Sequence, residues 1–371
     1  MEFLNATKMP AAYTMGRDPD GRESIVVVVK GSFTLPKKDG QEPQLAEEHV
    51  PLVLADEFTG DPGYSAVTYE CDFAPVKPKC DILLNGSAYA PGGKPSKRVT
   101  VSMTVGTVTK TFDVVGDRIW DRVLLATTPS EPIPFVSKPI SYDYAYGGMD
   151  EAPNDPENRD AYMLNPVGRG FYPFSQGEHR LGKPLPNCVE KGSNADAPTG
   201  KYIPKSYGVV GRQFKSRYPY AGTYDDAWTA NKFPDLPDDF DTRYFQSASH
   251  DQQVDYPSGG ETVVLKNLTP NGLTSFALPV LDMPVEFTDA DYERTEQQAV
   301  LDTIIIEPDL NRFMLTWRAS RLLKRNMMEL RQCVIGRMSR GWYRARDLGK
   351  TYYPSLGALI AARGGTEEDE E

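Results

Sequence analysis

The sequence has few of the residues on which metal and redox sites depend. Its 371 residues include three histidines, His49, His179 and His250, and no two of them lie within one helical turn. The four cysteines, at positions 71, 80, 188 and 333, show no CxxC spacing. Because zinc sites take their ligands from closely spaced His and Cys, the common zinc motifs are excluded, and we expect neither a metal nor another cofactor. We expect free thiols, with a Cys71–Cys80 disulfide as the alternative.

Long apolar runs are also missing. The longest purely apolar runs, residues 25–29 and 358–362, each span five residues, whereas a membrane-spanning helix needs about 20. Residues 1–5, Met-Glu-Phe-Leu-Asn, lack the basic start and the apolar stretch of a secretory signal. We therefore expect a cytoplasmic protein without membrane insertion.

Basic residues are outnumbered and unevenly placed. The 41 Lys and Arg against 52 Asp and Glu give a net charge of −11, which disfavours sequence-independent binding to nucleic acid. Residues 318–350 hold ten basic and two acidic side chains, a local charge of +8, and residues 367–371 carry −5. We interpret the chain as an acidic body, residues 1–318, followed by a basic extension, residues 319–371, with an acidic tip.

Period-two alternation of apolar and polar residues predicts strands and hairpins. Residues 99–105 and 108–114 alternate around a two-residue turn, and further hairpins are predicted over 261–278 and 302–317. Helices do not alternate with these strands, so a doubly wound sheet is disfavoured. We therefore predict a mainly β fold with antiparallel sandwich- or barrel-like sheets and long loops, as one body or as two packed sub-lobes.

The middle of the chain, residues 141–256, shows little periodicity but is rich in tyrosine. It holds 12 of the 20 tyrosines. Tyrosine provides rigid, amphipathic contact area and is enriched at protein interfaces, and long loops are often functional. This segment is therefore either a binding surface or a set of loops that tyrosines seal onto the sheets.

A C-terminal amphipathic helix is predicted in the basic extension, because apolar residues recur there at helical spacing. These residues are Leu323, Met327, Leu330, Val334 and Met338. The favoured interpretation is a helix that packs on the acidic body and neutralises its charge, and the alternative is docking on a partner.

Carboxylates are densest between residues 225 and 241, where aromatic and basic side chains accompany them. A pair of carboxylates beside aromatic residues is typical of glycoside hydrolases, but Asp next to Pro and Gly is equally typical of turns, so both interpretations stay open. The group comprises Asp225, Asp226, Asp235, Asp238, Asp239 and Asp241, with Trp228 and Arg243 among them.

Several blocks of sequence, taken in order, resemble the bacterial domain-of-unknown-function family 2169. The resemblance covers roughly residues 1–318, and the basic extension lies outside it. The blocks are 28–33 (VVKGSF), 60–63 (GDPG), 81–93 (DILLNGSAYAPGG), 116–120 (GDRIW), 146–148 (YGG), 165–171 (NPVGRGF), 185–187 (LPN), 221–241, 259–261 (GGE), 301–303 (LDT) and 317–318 (WR).

The resemblance implies an accessory role in type VI secretion. Such proteins resemble cytoplasmic adaptors or chaperones that bind an effector with a PAAR-like spike-tip domain and help to load it onto the VgrG spike, without catalysis. Aromatic anchors with charged neighbours suit that task. The alternatives are a polysaccharide-acting hydrolase that uses residues 225–241, and a structural spike component. The candidate contact residues are Tyr218, Tyr220, Tyr224, Asp225, Trp228, Asp239, Asp241, Arg243 and Arg169.

Overall fold

The fold is mainly β, as predicted. The structure, a computed structural model, describes residues 1–18, 20–38, 40–124, 126–353 and 355–364. In this part of the chain strands predominate, and the sheets are open. None of these sheets closes into a barrel, so the barrel-like alternative is wrong. The acidic tip predicted at residues 367–371 lies outside the described residues.

The strands lie between residues 2 and 335 and are numbered in chain order. The first twelve are β1 (Glu2–Asn5), β2 (Ala11–Arg17), β3 (Glu23–Thr34), β4 (Gln44–Leu45), β5 (Glu57–Phe58), β6 (Val67–Tyr69), β7 (Cys80–Leu84), β8 (Gly86–Tyr89), β9 (Arg98–Val105), β10 (Val108–Val115), β11 (Trp120–Val123) and β12 (Ala126–Pro129). The next twelve are β13 (Ser137–Ile140), β14 (Tyr146–Gly147), β15 (Arg169–Gly170), β16 (Cys188–Val189), β17 (Gln253–Val254), β18 (Thr262–Lys266), β19 (Leu273–Ala277), β20 (Pro284–Asp289), β21 (Arg294–Gln298), β22 (Val300–Glu307), β23 (Arg312–Leu322) and β24 (Leu330–Ile335).

Helices are short. The α-helices are α1 (Asp226–Asn231), α2 (Arg340–Asp347) and α3 (Leu356–Gly364). Single 3₁₀ turns lie at Pro91–Gly93, Tyr142–Tyr144, Pro156–Asn158, Gly177–Arg180, Tyr218–Ala221, Thr242–Phe245, His250–Gln252, Pro308–Leu310 and Met327–Glu329. Among the helices of the described residues, none combines the length and the apolar character needed to span a membrane.

The chain divides into two compact units. The larger unit comprises Met9–Leu281 and Ala299–Glu329. It contains a seven-stranded sheet in the order β17-β7-β22-β23-β3-β2, with β4 also paired to β3, and a five-stranded sheet in the order β16-β10-β9-β18-β19. Each of the three predicted hairpins is confirmed, as β9–β10, β18–β19 and β22–β23.

The two large sheets bury their apolar residues in different ways. In β3 the run from Ile25 to Val29 is fully buried, as expected for a strand covered on both faces. In β9 buried and half-buried residues alternate, as the period-two pattern predicts. The ring of Phe276 from the five-stranded sheet packs 5.1 Å from that of Phe313 in the seven-stranded sheet, and Phe33 lies 5.2 Å from Phe313. This aromatic contact joins the two sheets in a shared core.

The smaller unit comprises Met1–Lys8, Asp282–Gln298 and the described residues from Leu330 onward. It contains a four-stranded sheet in the order β1-β24-β20-β21 and the helices α2 and α3. Here the sequence-based prediction of a helix through residues 323–338 is wrong. Leu323 follows the end of β23, and residues 330–335 form β24, which pairs parallel with β1 and antiparallel with β20. The amphipathic helix begins later, at Arg340, where Ser339 Oγ accepts a hydrogen bond from the Trp342 amide.

The cause of the wrong prediction is that β24 is a central strand. Cys333, Val334 and Ile335 are consecutive and fully buried, as in a strand that is covered on both faces. Such a run also places some apolar residues three or four positions from other apolar residues, and this spacing is the one that predicts a helix. Val and Ile also favour strands. Gly336, with a φ of +72°, then ends the strand in the left-handed region.

Candidate functional site

Residues 218–245, which we call the aromatic module, hold eight of the nine predicted contact residues. The local fold of the module follows from two capping aspartates. Asp225 accepts a hydrogen bond from the Trp228 amide at 2.8 Å and so caps α1, and Asp241 accepts one from the Arg243 amide at 2.8 Å at the start of the following 3₁₀ turn. Each cap satisfies a backbone donor that the helix start leaves without a partner, and so orders its turn.

The aromatic side chains of the module are ordered by one another. Trp228 is half-buried, and its Nε1 donates to the carbonyl oxygen of Asp235 at 2.9 Å. The Tyr224 and Phe233 rings pack edge-on against it, with centroids at 4.7 and 5.7 Å. Both outer rings are largely exposed, at 52% and 68%, and so is Tyr218 at 65%. The module therefore presents aromatic surface to solvent in fixed orientations.

The carboxylates of the module are engaged in local structure. The amide and the hydroxyl of Thr223 donate to Asp239 at 2.9 and 2.8 Å, and these hydrogen bonds lower the pKa of Asp239. The Arg243 guanidinium does the same for the pKa of Asp241. Arg243 also lies over the ring of Tyr220, 4.3 Å from its centroid. These contacts agree with the interpretation of the cluster as turn and ion-pair chemistry.

Arg169 lies apart from the module. It belongs to β15, and its Nε donates to the carbonyl oxygen of Asp143 at 2.9 Å while the guanidinium covers the Tyr144 ring at 4.5 Å. These contacts tie the 165–171 loop to the 141–144 turn. The structure therefore gives Arg169 a role in loop packing and does not place it with the other predicted contact residues.

A cavity of about 310 Å³ adjoins the module. Apolar side chains dominate its lining, among them Leu164, Ile203 and Phe214, and Tyr220 and Arg243 from the module line it as well. The sequence did not point to this cavity, because its walls come from segments that are far apart in the chain. In the folded chain some of its apolar lining residues remain exposed, such as Ile203 at 61%, and the sequence does not show this exposure.

A buried lysine orders the turn that borders the cavity. Lys110 Nζ donates to Ser249 Oγ at 2.7 Å, to Asp251 Oδ1 at 3.0 Å and to Gln252 Oε1 at 2.6 Å. Burial lowers the pKa of Lys110 to about 8, although the carboxylate of Asp251 acts in the opposite direction. Ser249 lines the cavity, so Lys110 fixes one part of the wall.

The tyrosines of residues 141–256 serve two purposes. Tyr142, Tyr146, Tyr172 and Tyr207 are buried, and the ring of Tyr146 packs edge-on against two other tyrosine rings at 5.0 and 4.8 Å. These residues seal loops onto the sheets, as one of the two interpretations predicts. The exposed tyrosines of the aromatic module fit the other interpretation.

A buried ionic network occupies the larger unit and includes charged residues of the family-like blocks. Arg318 Nε donates to Asp302 Oδ2 at 2.5 Å, and Lys77 Nζ donates to Asp81 Oδ2 at 2.8 Å and to Thr303 Oγ1 at 3.0 Å. Burial by itself lowers the pKa of Lys77, but the carboxylates of Asp81 and Asp302 raise it above its usual value. Sequence reasoning did not single out these charges, although Asp81, Asp302 and Arg318 lie within strands beside apolar residues.

In the described residues, side chains that could bind a metal ion are not grouped into a site, and the cysteines are not paired. Within the described ranges no group of three or more His, Cys, Asp or Glu side chains is arranged to hold a metal ion. All four cysteines are free, so the Cys71–Cys80 disulfide alternative is wrong. Cys80, Cys188 and Cys333 are buried, and burial raises the pKa of each thiol.

Comparison with known protein families gives a match over most of the chain. A family model described as "Uncharacterized protein conserved in bacteria (DUF2169)" matches residues 20–318, which is most of the chain. No curated protein and no solved structure gives a significant match. The matched range includes the aromatic module, the cavity and the buried ionic network.

Proposed function

The chain belongs to the DUF2169 family of bacterial proteins, and on that premise we propose that it is a non-catalytic cytoplasmic adaptor, or chaperone, for an effector of a type VI secretion system. In this proposal the effector carries a PAAR-like spike-tip domain, and the adaptor holds it until it is loaded onto the VgrG spike. An adaptor must bind apolar effector surface in the cell and release it on docking, which requires aromatic contacts of moderate affinity.

The observation that carries the proposal is the exposure of ordered aromatic rings on the aromatic module. Tyr224 and Phe233 pack on Trp228, and each keeps more than half of its surface open to solvent. Rings that are already ordered lose little conformational entropy on binding, and aromatic residues dominate binding energy at interfaces. The module therefore has the properties of a pre-organised contact surface.

The cavity next to the module supports the same function. Its volume of about 310 Å³ lies at the lower end of the range for ligand pockets, and its lining is mainly apolar. A single large apolar side chain of the effector fits such a cavity. Tyr220 and Arg243 belong to the module and also line the cavity. One effector segment would therefore be able to contact the module and the cavity together.

The hydrolase alternative gains less support from the same residues. A glycoside hydrolase needs one carboxyl group whose pKa is raised, so that it can act as the general acid. Local hydrogen bonds lower the pKa of Asp239, and its Arg243 partner lowers that of Asp241. Neither carboxyl group is suited to donate a proton near neutral pH.

Purification from the producing bacterium tests the proposal. The full chain, carrying an affinity tag, is expressed at its native level, and the proteins that co-purify are identified. The gene is then deleted, and the amount of each secreted effector is measured. We expect one PAAR-like effector to co-purify and its secretion to be lost in the deletion strain, with restoration by the untagged gene. If no effector co-purifies and every effector is secreted normally without the gene, the proposal is wrong.

A further inference from the structure

The hairpin of β11 and β12 stands as a sheet of its own, outside the large sheets. In its register Trp120 lies opposite Pro129, and Val123 lies opposite Ala126. Residues opposite each other in an antiparallel pair point to the same face, and neighbours in a strand point to opposite faces. The hairpin therefore has one face with Trp120 and Arg122 and another face with Asp121 and Val123.

The first face is fixed to the rest of the larger unit. Trp120 is buried with Tyr172 and Leu185 in a small core cluster. Arg122 forms an ion pair with Glu178, which lies between Tyr172 and Leu185 in the chain. Thus apolar packing of Trp120 holds one end of the hairpin against the larger unit, and the exposed Arg122–Glu178 pair adds a second contact.

The second face and the adjoining Leu124 are largely apolar and open to solvent. Val123 is 56% exposed, Leu124 is 90% exposed, and Ile119 at the start of the same face is 44% exposed. Asp121 lies between Ile119 and Val123 on this face, and its Oδ1 accepts a hydrogen bond from the Arg122 amide at 2.7 Å. The pattern along the face is apolar, acidic, apolar.

The backbone at Leu124 is strained. Leu124 has a φ of +58°, in the left-handed region that Gly and Asn adopt readily and leucine does not. Hairpin turns that need this conformation normally use Asn-Gly or Asp-Gly. A leucine here destabilises the turn. Because its side chain is 90% exposed, packing against other described residues offsets little of this destabilisation. Strain of this kind is typical of sites that act on a partner.

We propose that the β11–β12 hairpin inserts Leu124 into an apolar pocket of a partner protein, with Asp121 facing a lysine or arginine beside that pocket. A protruding leucine requires a concave apolar surface, and an acidic group between Ile119 and Val123 requires a positive group opposite it. The same acidic group, in a protein with a net charge of −11, is repelled by anionic lipid surfaces, which disfavours a membrane as the target. This contact is separate from the aromatic module and does not depend on the partner being a secreted effector.

Site-specific photo-crosslinking in the producing cell tests the contact. Leu124 is replaced by p-benzoylphenylalanine in the full chain, and the crosslinked peptides are identified by mass spectrometry. The matched control carries the same group at Met328, an equally exposed apolar side chain at 87%. We expect crosslinks from position 124, and not from position 328, to one protein, at an apolar pocket with an adjacent lysine or arginine.

The purified pair then separates a binding role from a structural one. Leu124→Asn is expected to raise the Tm of this protein by about 1–2 °C, because Asn accepts the left-handed backbone, and to weaken binding about tenfold or more. Met328→Asn leaves binding unchanged. Asp121→Lys is expected to weaken binding, and replacing the basic residue of the partner with Glu restores it.

Three results would overturn the inference. The first is crosslinking from position 124 at the level of the Met328 control, or crosslinking to lipid or to a second copy of this chain. The second is a Leu124→Asn variant that binds the crosslinked partner as tightly as the wild type. The third is a Leu124→Asn variant with a lowered Tm, which would show that the leucine stabilises the fold. None of these results bears on whether deletion of the gene blocks effector secretion, so the two proposals fail independently.

Discussion

Arg318 and Arg337 both form ion pairs, but the two pairs differ in burial. Arg318 is 4% exposed, and besides Asp302 it donates to the carbonyl oxygens of Asp72 and Ala74 at 2.7 and 2.6 Å. Arg337 pairs with Asp282 at 3.0 Å, but more than half of both side chains is exposed. A buried pair leaves an uncompensated charge when one partner is removed, whereas water compensates an exposed pair. Arg318 and Arg337 should therefore respond differently to the same substitution.

Arg318→Met is expected to lower the free energy of unfolding by about 3–5 kcal/mol, because it leaves Asp302 buried without its guanidinium partner. Arg337→Met is the matched control, and no measurable change is expected there. Urea denaturation followed by tryptophan fluorescence measures both variants. An Arg318→Met variant as stable as Arg337→Met would contradict the structural role of the buried ionic network.

The lowered pKa of Lys110 predicts that the stability of the protein depends on pH. Burial lowers its pKa to about 8, from 10.5 in the unfolded chain. Because the folded protein then holds the proton less tightly than the unfolded chain, this residue makes the free energy of unfolding rise as the pH increases from about 8 to about 10.5. The same contribution is lost as the pH falls back through 8.

Comparison with Lys110→Met isolates that effect, since the titration of other groups cancels in the difference. The wild type is expected to gain stability relative to Lys110→Met between pH 7.5 and pH 10, measured as free energies of unfolding in urea. A stability difference that stays constant over this range would show that Lys110 titrates near its unfolded value.

At the scale of elements, the sequence predicted local pairings well and distant ones poorly. The hairpins β9–β10, β18–β19 and β22–β23 could be predicted because alternation and turn residues lie together in the chain. The pairing of β1 with β24 joins residues 2–5 to residues 332–335, and no local pattern of the sequence predicts it. Without that partner, the apolar residues of β24 fit a helix equally well, so the wrong prediction arose from missing non-local information.

Two truncations test this revised view of the C-terminal segment. Ending the chain after Trp317 removes part of β23 and all of β24, which is the central pairing partner of β1 and β20. We expect that protein to be insoluble or unfolded. Ending the chain after Tyr353 removes α3, where Leu356 and Ile360 are largely exposed, and we expect the fold to be retained. Circular dichroism and thermal melting compare the two, and a folded chain ending at Trp317 would contradict the assignment of β23 and β24.

At the scale of the whole molecule, the uneven charge has a structural counterpart. Arginines of residues 318–350 pair with carboxylates from earlier in the chain within the same unit, as in Arg318–Asp302, Arg337–Asp282 and Arg346–Glu286. This agrees with the expectation that the basic segment neutralises acidic residues of the body. It does so through strands and the short helix α2, however, and not through the long helix that was predicted.

The candidate site was only partly predictable for a related reason. The aromatic module lies within one continuous stretch, residues 218–245, so its residue types could be recognised in the sequence. The cavity beside it takes its lining from several distant segments, and the strain at Leu124 depends on backbone conformation. Both require the folded chain, because neither burial of distant residues nor a positive φ at a leucine follows from composition.

The central claim, that the aromatic module binds the partner protein, is tested most directly by measuring the affinity of the purified chain for the effector that co-purifies with it. Tyr224→Ala combined with Phe233→Ala removes the two exposed rings beside Trp228, and Tyr64→Ala, 79% exposed elsewhere in the larger unit, is the matched control. Isothermal titration is expected to show that the double variant binds about tenfold or more weakly and that the control binds like the wild type, with all three proteins equally folded. A double variant that binds as tightly as the wild type would contradict the account.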